Sequence, residues 1–415
     1  VRPNIRHIDS RQGLSSEQVN AMVTDHNGHL WIGTGDGLDR FDGRSMMVFR
    51  ADGTPNSLPD DHVNALALDR NGLMYVGSNA AVLGVWDLAT DRCRSIPVPP
   101  DSTDGVGATI TALLIDTTQR VWFSFGGRDW SCYDPRNGRI VRTRIRTSHS
   151  QPAGRNHITR ALSDAQGYHW LSTQFGVVRF DPRDHSYTHF FHPAHRSVDL
   201  IASLNHVHDM FDEGPSLIVA TSGGLYRLDK RSGVFTTLYA SEQVWDGGVV
   251  ALAPQEGSRL WAATTFQGLL VLDRSTGSVK HCDRSLSEHE RQDKSPMAYD
   301  ARVMYRDPDG NVWIGTGRSG IALIAHKENR FKSVALPPTT RGNYPHAPLA
   351  FVPWANDHLV VISNTEGAFV LDGDGQLQQH IPPPATHGPW DYINDVKVVD
   401  GRILMATYKG VYRLR

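Results

Sequence analysis

Asn27–Gly43 reads NGHLWIGTGDGLDRFDG, and the fold of the chain turns on how that stretch is read. The Asn27-Gly28 pair marks a turn that leads into a short apolar run of Leu30, Trp31 and Ile32. A glycine-bearing break follows from Gly33 to Gly37, then an alternating run with Leu38, Arg40 and Phe41, then a turn at Asp42-Gly43. This spacing predicts two short strands joined by turns. One such hairpin cannot bury its own apolar face, so copies of it must stack.

Copies occur along the whole chain. They are LWIGT at Leu30, MYVGS at Met74, VWFSF at Val121, HWLST at His169, LIVAT at Leu217, LWAAT at Leu260, VWIGT at Val312, LVVIS at Leu359 and LMATY at Leu404. Successive copies lie 43 to 52 residues apart, the period of propeller blades. Each unit holds four strand candidates, lettered A to D from the axis outward. In the first they are VNAMVTD, HLWIGT, GLDRFD and SMMVFR. The predicted fold is therefore an all-β propeller of four-stranded blades forming one domain over 1–415. The approximate blades are 10–50, 51–97, 98–145, 146–191, 192–240, 241–284, 285–335, 336–382 and 383–415 plus 4–9. Ser285–Asp293 is polar enough for a short exposed helix or a loop.

The two ends shape the expected closure. The last residue, Arg415, follows directly on a ninth strand C, and Asn4–Asp9 (NIRHID) precedes the first strand A as a strand D would. The leading strand is therefore expected to complete the ninth blade and close a nine-bladed ring, removing two open sheet edges. The alternative is a seven-bladed ring plus two blades of a second.

Composition narrows the function. There are 42 basic and 44 acidic residues and no basic run, which argues against nucleic acid or an anionic membrane as partner. No apolar run is long enough for a membrane-spanning helix. Val1–Ser10 is polar and charged, so no secretory signal is read there, which fits a cytosolic protein or a trimmed mature fragment. Cys93, Cys132 and Cys282 make neither a metal spacing nor a disulfide framework.

WIGTGDGLDRFDG with the preceding GLSSEQVNAMVTDHNG, and VWIGTGRSGI with the preceding RDPDGN, resemble the two-component regulator propeller repeat. The resemblance implies the periplasmic sensor of a bacterial transmembrane histidine kinase or diguanylate cyclase. It also implies a chain that senses a ligand without turning it over, and a homodimer made through the full-length receptor. No kinase, cyclase or receiver pattern is present to show the output.

In a propeller the A–B and C–D turns lie at one end and the D–A and B–C loops at the other. The A–B turns are regular: DHNG at Asp25, DRNG at Asp69, DAQG at Asp164 and DPDG at Asp307. Asp and Gly there are turn formers. DPDGN and DGDG lack the full ligand run of a calcium loop. The opposite end is irregular, and loops on a rigid scaffold are where binding residues concentrate. The candidate ligand-binding residues there are Arg128, Asp129, Trp130, His206, Trp245, Asp246, Tyr299, Asp300, Arg302, Tyr344, Trp390, Asp391 and Tyr392. Rings beside carboxylates and amides suit a small molecule or carbohydrate. Trp31, Trp122, Trp170, Trp261 and Trp313 share one strand-B position with Tyr75, Ile218, Val360 and Met405, which marks them as core.

No catalytic residue, cofactor or metal site is expected. His62, His157 and His206 precede strand A in their blades and His208 lies near, but no carboxylate falls at ligand spacing, so surface or loop histidines are expected. Two further readings stand beside the sensor. One is a propeller lyase or glycosidase using Asp246, Asp300 and Asp391, though no histidine–glutamate arrangement of a streptogramin-type lyase is found. The other is a protein-interaction scaffold.

Overall fold

Asp25 shows how local sequence builds each sheet. Its Oδ1 accepts the backbone N–H groups of Asn27 at 2.8 Å and His29 at 3.0 Å, which closes the turn between strands A and B. Its Oδ2 accepts the indole N–H of Trp31 at 2.8 Å. The same arrangement recurs as Asp116–Trp122 at 2.8 Å, Asp164–Trp170 at 2.7 Å and Asp307–Trp313 at 2.8 Å. A buried indole needs a partner for its N–H, and the turn carboxylate supplies it. Burial alone would raise the Asp25 and Asp116 carboxyls, but the indole and backbone donors outweigh it and hold both below the usual range. Asp116→Ala should therefore orphan the Trp122 N–H and open the turn, at a cost on the order of 3 kcal/mol. A urea titration would show this as a lower midpoint at unchanged slope.

The computed structural model describes residues 5–99, 109–127, 129–146, 157–192, 205–240, 248–265, 268–282, 300–326, 348–354, 358–363, 367–373, 376–381, 393–399, 402–407 and 410–413. Among the described residues, each of the nine copies lies in its own antiparallel sheet, eight of them four-stranded and the last three-stranded. In blade one strands A to D are Val19–Thr24, Leu30–Thr34, Gly37–Phe41 and Met46–Phe49. Strand B is buried along its whole length in blades one, three, four, five and seven, as expected of a strand sandwiched between neighbouring sheets. Strand A carries a bulge after its first residue, between Val19 and Ala21 and again between Val63 and Ala65, Ile158 and Arg160, Val207 and Asp209, Val249 and Ala251, and Ala301 and Val303. The expected Ser285–Asp293 segment lies outside the described residues.

The chain divides into two compact units, Val1–Glu328 and Asn329–Arg415. In the first, the innermost strands of seven blades neighbour one another in chain order, and the seventh, Ala301–Arg306, lies against the first, Val19–Thr24. The ring thus closes after seven blades. Ile5–Ile8 pairs with Ile321–Ile324 and is strand D of blade seven. This corrects the expected closure: residues 4–9 do not complete the ninth blade, and the alternative of a seven-bladed ring plus two blades is the one this pairing matches. The reason is connectivity. Every D–A connection links adjacent blades, so the strand ahead of blade one must lie in whichever blade precedes it around the ring.

Glycines on strand B set the spacing between blades. A Cβ on Gly33 would lie 2.6 Å from Val63 Cγ1, one on Gly77 2.6 Å from Ile110 Cγ2, and one on Gly315 2.5 Å from Val19 Cγ1. Val63 and Val19, the first residues of their strands A, and Ile110, which leads into Leu113–Ile115, fill the space a side chain would take, and the third contact is the closure itself. Gly33 is therefore a close-approach residue inside strand B, not the bend its sequence position suggests. The bend is at Gly37, with φ +145°.

The second unit holds a four-stranded sheet (Pro348–Trp354, His358–Ser363, Gly367–Leu371, Leu377–Ile381) and a three-stranded one (Ile393–Val399, Arg402–Thr407, Gly410–Arg413). Val352, Val360, Ile362, Ala368 and Val370 of the first pack with Ile403 and Met405 of the second. Among the described residues, no helix is long and apolar enough to cross a membrane.

Candidate ligand site at the D–A and B–C end

The seven innermost strands of the first unit all start at the same end of the ring. The residues just before them are Gln18, His62, His157, His206, Gly248 and Asp300, and Thr109 takes the equivalent place in blade three, whose strand starts at Leu113. Their main chains are locked to the B–C turns: the N–H groups of Gly35, Gly126, Ser222, Thr265 and Gly317 donate to the carbonyls of Gln18, Thr109, His206, Gly248 and Asp300 at 2.9 to 3.1 Å. One residue further on, after the strand's first residue, stand Asn20, Asn64, Thr111, Thr159, His208, Val250 and Arg302. Asn20 Nδ2 donates to the Val63 carbonyl at 3.0 Å, and Thr111 and Thr159 hydroxyls donate to the carbonyls of Ile158 and Val207 at 2.7 and 3.3 Å. Three of these side chains therefore stitch one blade to the next. Arg302 also reaches across, from blade seven to Asn20 of blade one, and the positions differ in chemistry.

Blades four and five contribute imidazoles. The rings of His206 and His208 lie 4.2 Å apart, and His208 Nε2 is 2.9 Å from the Ser222 hydroxyl. Burial, and then the neighbouring His157, pull the His206 pKa down. Burial, then His206 and Arg160, push His208 down to about 3. Both are half-buried: His206 lies in the loop before strand A, within the surface-or-loop expectation, whereas His208 stands on the strand itself. Among the described residues, no three histidines, cysteines or carboxylates come together to hold a metal ion. Beneath them, Arg160 and Asp209 take positions that are Ala21, Ala65, Ala112, Ala251 and Val303 in the other blades. Asp209 Oδ2 accepts the Leu252 N–H at 2.8 Å, and burial raises its pKa despite Arg160.

Blades seven and one contribute planar polar groups. Asp300 adopts φ +80° and its Oδ2 is 3.8 Å from Arg318 Nε. Arg302 is exposed, with Nη1 3.5 Å from Asn20 Oδ1, and Gln18 Nε2 donates to the same Oδ1 at 3.2 Å.

The expected site residues thus separate. His206, Asp300 and Arg302 belong to the ring of positions around the axis. Asp129 does not: it is buried on strand C of blade three, clamped by Arg144 Nε at 3.1 Å and Arg142 Nε at 3.5 Å. Trp130 is a correction. It is fully buried, stacks on Trp122 with centroids 6.3 Å apart, and donates to His169 Nδ1 at 3.2 Å, so no ligand can reach its face. That bond leaves the His169 proton on Nε2, and burial pushes the ring down to about 4, so it is neutral. Arg128, Trp245, Asp246, Tyr299, Tyr344, Trp390, Asp391 and Tyr392 lie outside the described residues. Gln18, Asn20 and His208 were missed as ligand candidates, although reading the columns beside Val19 across the copies would have found them.

The two-component regulator propeller model matches residues 13–36, 57–80 and 298–318. Each match runs through strand A of a blade, in blades one, two and seven, and so spans the seam of the ring. The chain carries two-component regulator propeller repeats. Among solved structures it is similar to the extracellular domain of a B. thetaiotaomicron protein described as a hybrid two component system, with 19% identity over 100% of this chain and 53% of that one, and a TM-score of 0.64. A second B. thetaiotaomicron extracellular domain, described as of a one component system, shows 17% identity over 99% of this chain and 52% of that one, at TM-score 0.60. The propeller chain thus spans about half the length of both. Virginiamycin B lyase from Staphylococcus aureus shows 12% identity over 77% of this chain and 98% of that one, at TM-score 0.58. No curated protein matches in sequence. At these identities the structural likeness is one of fold.

Proposed function

We propose that this chain is the ligand-sensing, extracytoplasmic part of a bacterial signal-transduction receptor. It binds an uncharged, hydroxyl-rich small molecule such as a carbohydrate fragment at the D–A and B–C end of the seven-bladed ring. The observation that carries this is the contrast between the two ends. At the A–B end five of the seven blades repeat one Asp turn, with Glu213 and Gln255 at that position in the other two, whereas the positions that lead into the inner strands run Gln18, His62, Thr109, His157, His206, Gly248 and Asp300. A scaffold needs its repeats alike, and only a site needs them different. The repeat type and the extracellular sensor relatives support the receptor role, and the ligand does its work by favouring one arrangement of the receptor over another.

Calorimetry and thermal-shift screening against glycan fragments test the proposal. A ligand at a hundred times its Kd should stabilise the protein by about 2.7 kcal/mol. Because burial pushes the His208 pKa down to about 3, that ring stays neutral and should add no pH dependence to affinity from pH 6 to 8. The double substitution His206→Ala, His208→Ala should weaken binding tenfold or more. Turnover of a bound fragment would instead make the protein an enzyme.

A further inference from the structure

We propose that Asp300, Arg302, Gln18 and Asn20, at the seam of blades seven and one, form the subsite that reads two neighbouring hydroxyl groups on the ligand; this rests on the sensor reading above. Asp300 and Arg302 flank Ala301, the first residue of the seventh inner strand, and Gln18 and Asn20 flank Val19, the first residue of the first. The closure of the ring places the two strands side by side.

Three observations single the seam out. The first is backbone strain. Among the described residues, four non-glycines adopt positive φ: Asp91, Gln119, His185 and Asp300. The first three sit in tight turns between consecutive strands of one blade, where that conformation is ordinary. Asp300 leads into an inner strand, where the corresponding residues of the other blades show no positive φ among non-glycines. Strain held at one copy of a repeated position points to a function there.

The second is the space at Gly317. Its own φ is not in the left-handed region, so alanine would suit its backbone. Yet a Cβ there would collide with the Asp300 Oδ2 and lie 2.7 Å from Arg302 Nε. The glycine leaves room for a carboxylate and a guanidinium to converge on one spot.

The third is the chemistry of the set. A hydroxyl both donates and accepts, so two adjacent hydroxyls require acceptors and donors in alternation. The Asp300 carboxylate accepts, the Arg302 guanidinium donates and the Gln18 amide oxygen accepts, while Asn20, anchored on the Val63 carbonyl, orients Gln18 and Arg302 through its Oδ1. The Asp300 carboxylate lies 3.8 Å from Arg318 Nε, and Arg302 Nη1 lies 3.5 Å from Asn20 Oδ1, so an acceptor and donors stand side by side at the seam.

The test is calorimetry of neutral di- and trisaccharides, their mono-deoxy analogues and L-amino acids against the parent and four variants. Asp300→Gly and Arg302→Met should each weaken saccharide binding tenfold or more, and Gly317→Ala should do so by displacing the carboxylate. Asp300→Gly should at the same time raise Tm, because it relieves the positive φ. A carboxylate kept for structure would lower it. The deoxy analogue that loses affinity for the parent should lose none for Arg302→Met, which ties that hydroxyl to that side chain. If saccharides bind the parent and the seam variants alike, but not the His206→Ala, His208→Ala protein, this subsite is wrong and the sensor reading stands. If L-amino acids bind in their place, the diol assignment is wrong. If the parent binds no saccharide, both fail.

Discussion

Removing residues 1–9 should abolish the cooperative unfolding of Val1–Glu328 while leaving the sheets of Asn329–Arg415 with unchanged hydrogen-exchange protection. Ile5–Ile8 is strand D of blade seven, and its two isoleucines point to opposite faces. Ile8 is 2% exposed and packs with Leu14, Val19, Trp313 and Ile321 on the side of blade one. Ile5 packs against the cluster of Trp261, Ala301 and Val312 on the side of blade six. Between them they staple the seventh blade to both neighbours. Burial of each isoleucine contributes about 2 kcal/mol, and with the paired strand the loss is on the order of 5 kcal/mol. That is comparable to the whole stability of many domains. The link to blade one is itself ordered: Asp9 caps a short 3-10 turn over Ser10–Gln12, and Ser10 donates to Glu17, whose carbonyl accepts the Gly320 N–H. Exchange should rise at Ile321–Ile324 and Val19–Thr24. If it rises instead at Arg402–Thr407, the leading strand belongs to the ninth blade. The point variant Ile8→Asp, which buries a charge at the same place, should cost about 4 kcal/mol and give the same exchange pattern in milder form.

The blades could be read from sequence because each is a local object. A turn Asp, a strand B with its aromatic and a strand C with its alternation lie within about twenty residues, and their hydrogen bonds stay inside that window. The number of blades per ring is not local. It depends on which blade lies before the first one, and the Gly315–Val19 contact that decides it joins residues from opposite ends of the unit. Trp130 was misjudged for a related reason. It follows a Gly-Gly pair and looks like a loop residue, but strand C of blade three starts at Asp129, which puts Trp130 in register with Leu38 and Val177, both fully buried. The ring of ligand candidates was half legible. His206, Asp300 and Arg302 stand out by residue type, whereas Gln18 and Asn20 look like ordinary polar loop residues until the closure sets them beside Arg302.

Asp39 reverses the case of Trp130: a charged residue in a core column, where the other blades carry Val178, Tyr226, Leu270 or Ala322. It is fully buried, and its Oδ2 accepts the Ser15 N–H at 2.8 Å and the Ser15 hydroxyl at 2.9 Å, while that hydroxyl lies 2.7 Å from Thr34 Oγ1. Among the described residues, its Oδ1 has no hydrogen-bond partner. Burial raises its pKa from 3.8 to about 6, against the Ser15 donors and Arg50 and with the help of Asp36. A carboxyl whose folded pKa lies above its unfolded one binds more protons in the native state. Its penalty is therefore absent below pH 4, grows as pH rises towards 6, and is constant above. A rise of about two units corresponds to about 3 kcal/mol at pH 7. Asp39→Asn keeps an acceptor for Ser15 and removes the charge, so it should stabilise the protein by about that amount at pH 7 to 8 and by little at pH 4. Other carboxylates such as Asp25, Asp42 and Asp116 are held low and make the parent less stable in acid, the opposite trend. They act equally in both proteins, so the difference between parent and variant isolates Asp39. Denaturant midpoints from pH 4 to 8 should diverge between pH 4 and 6 and then run parallel. Parallel profiles throughout would mean that Asp39 ionises in the ring as it does in the unfolded chain, and that Ser15 alone offsets its burial.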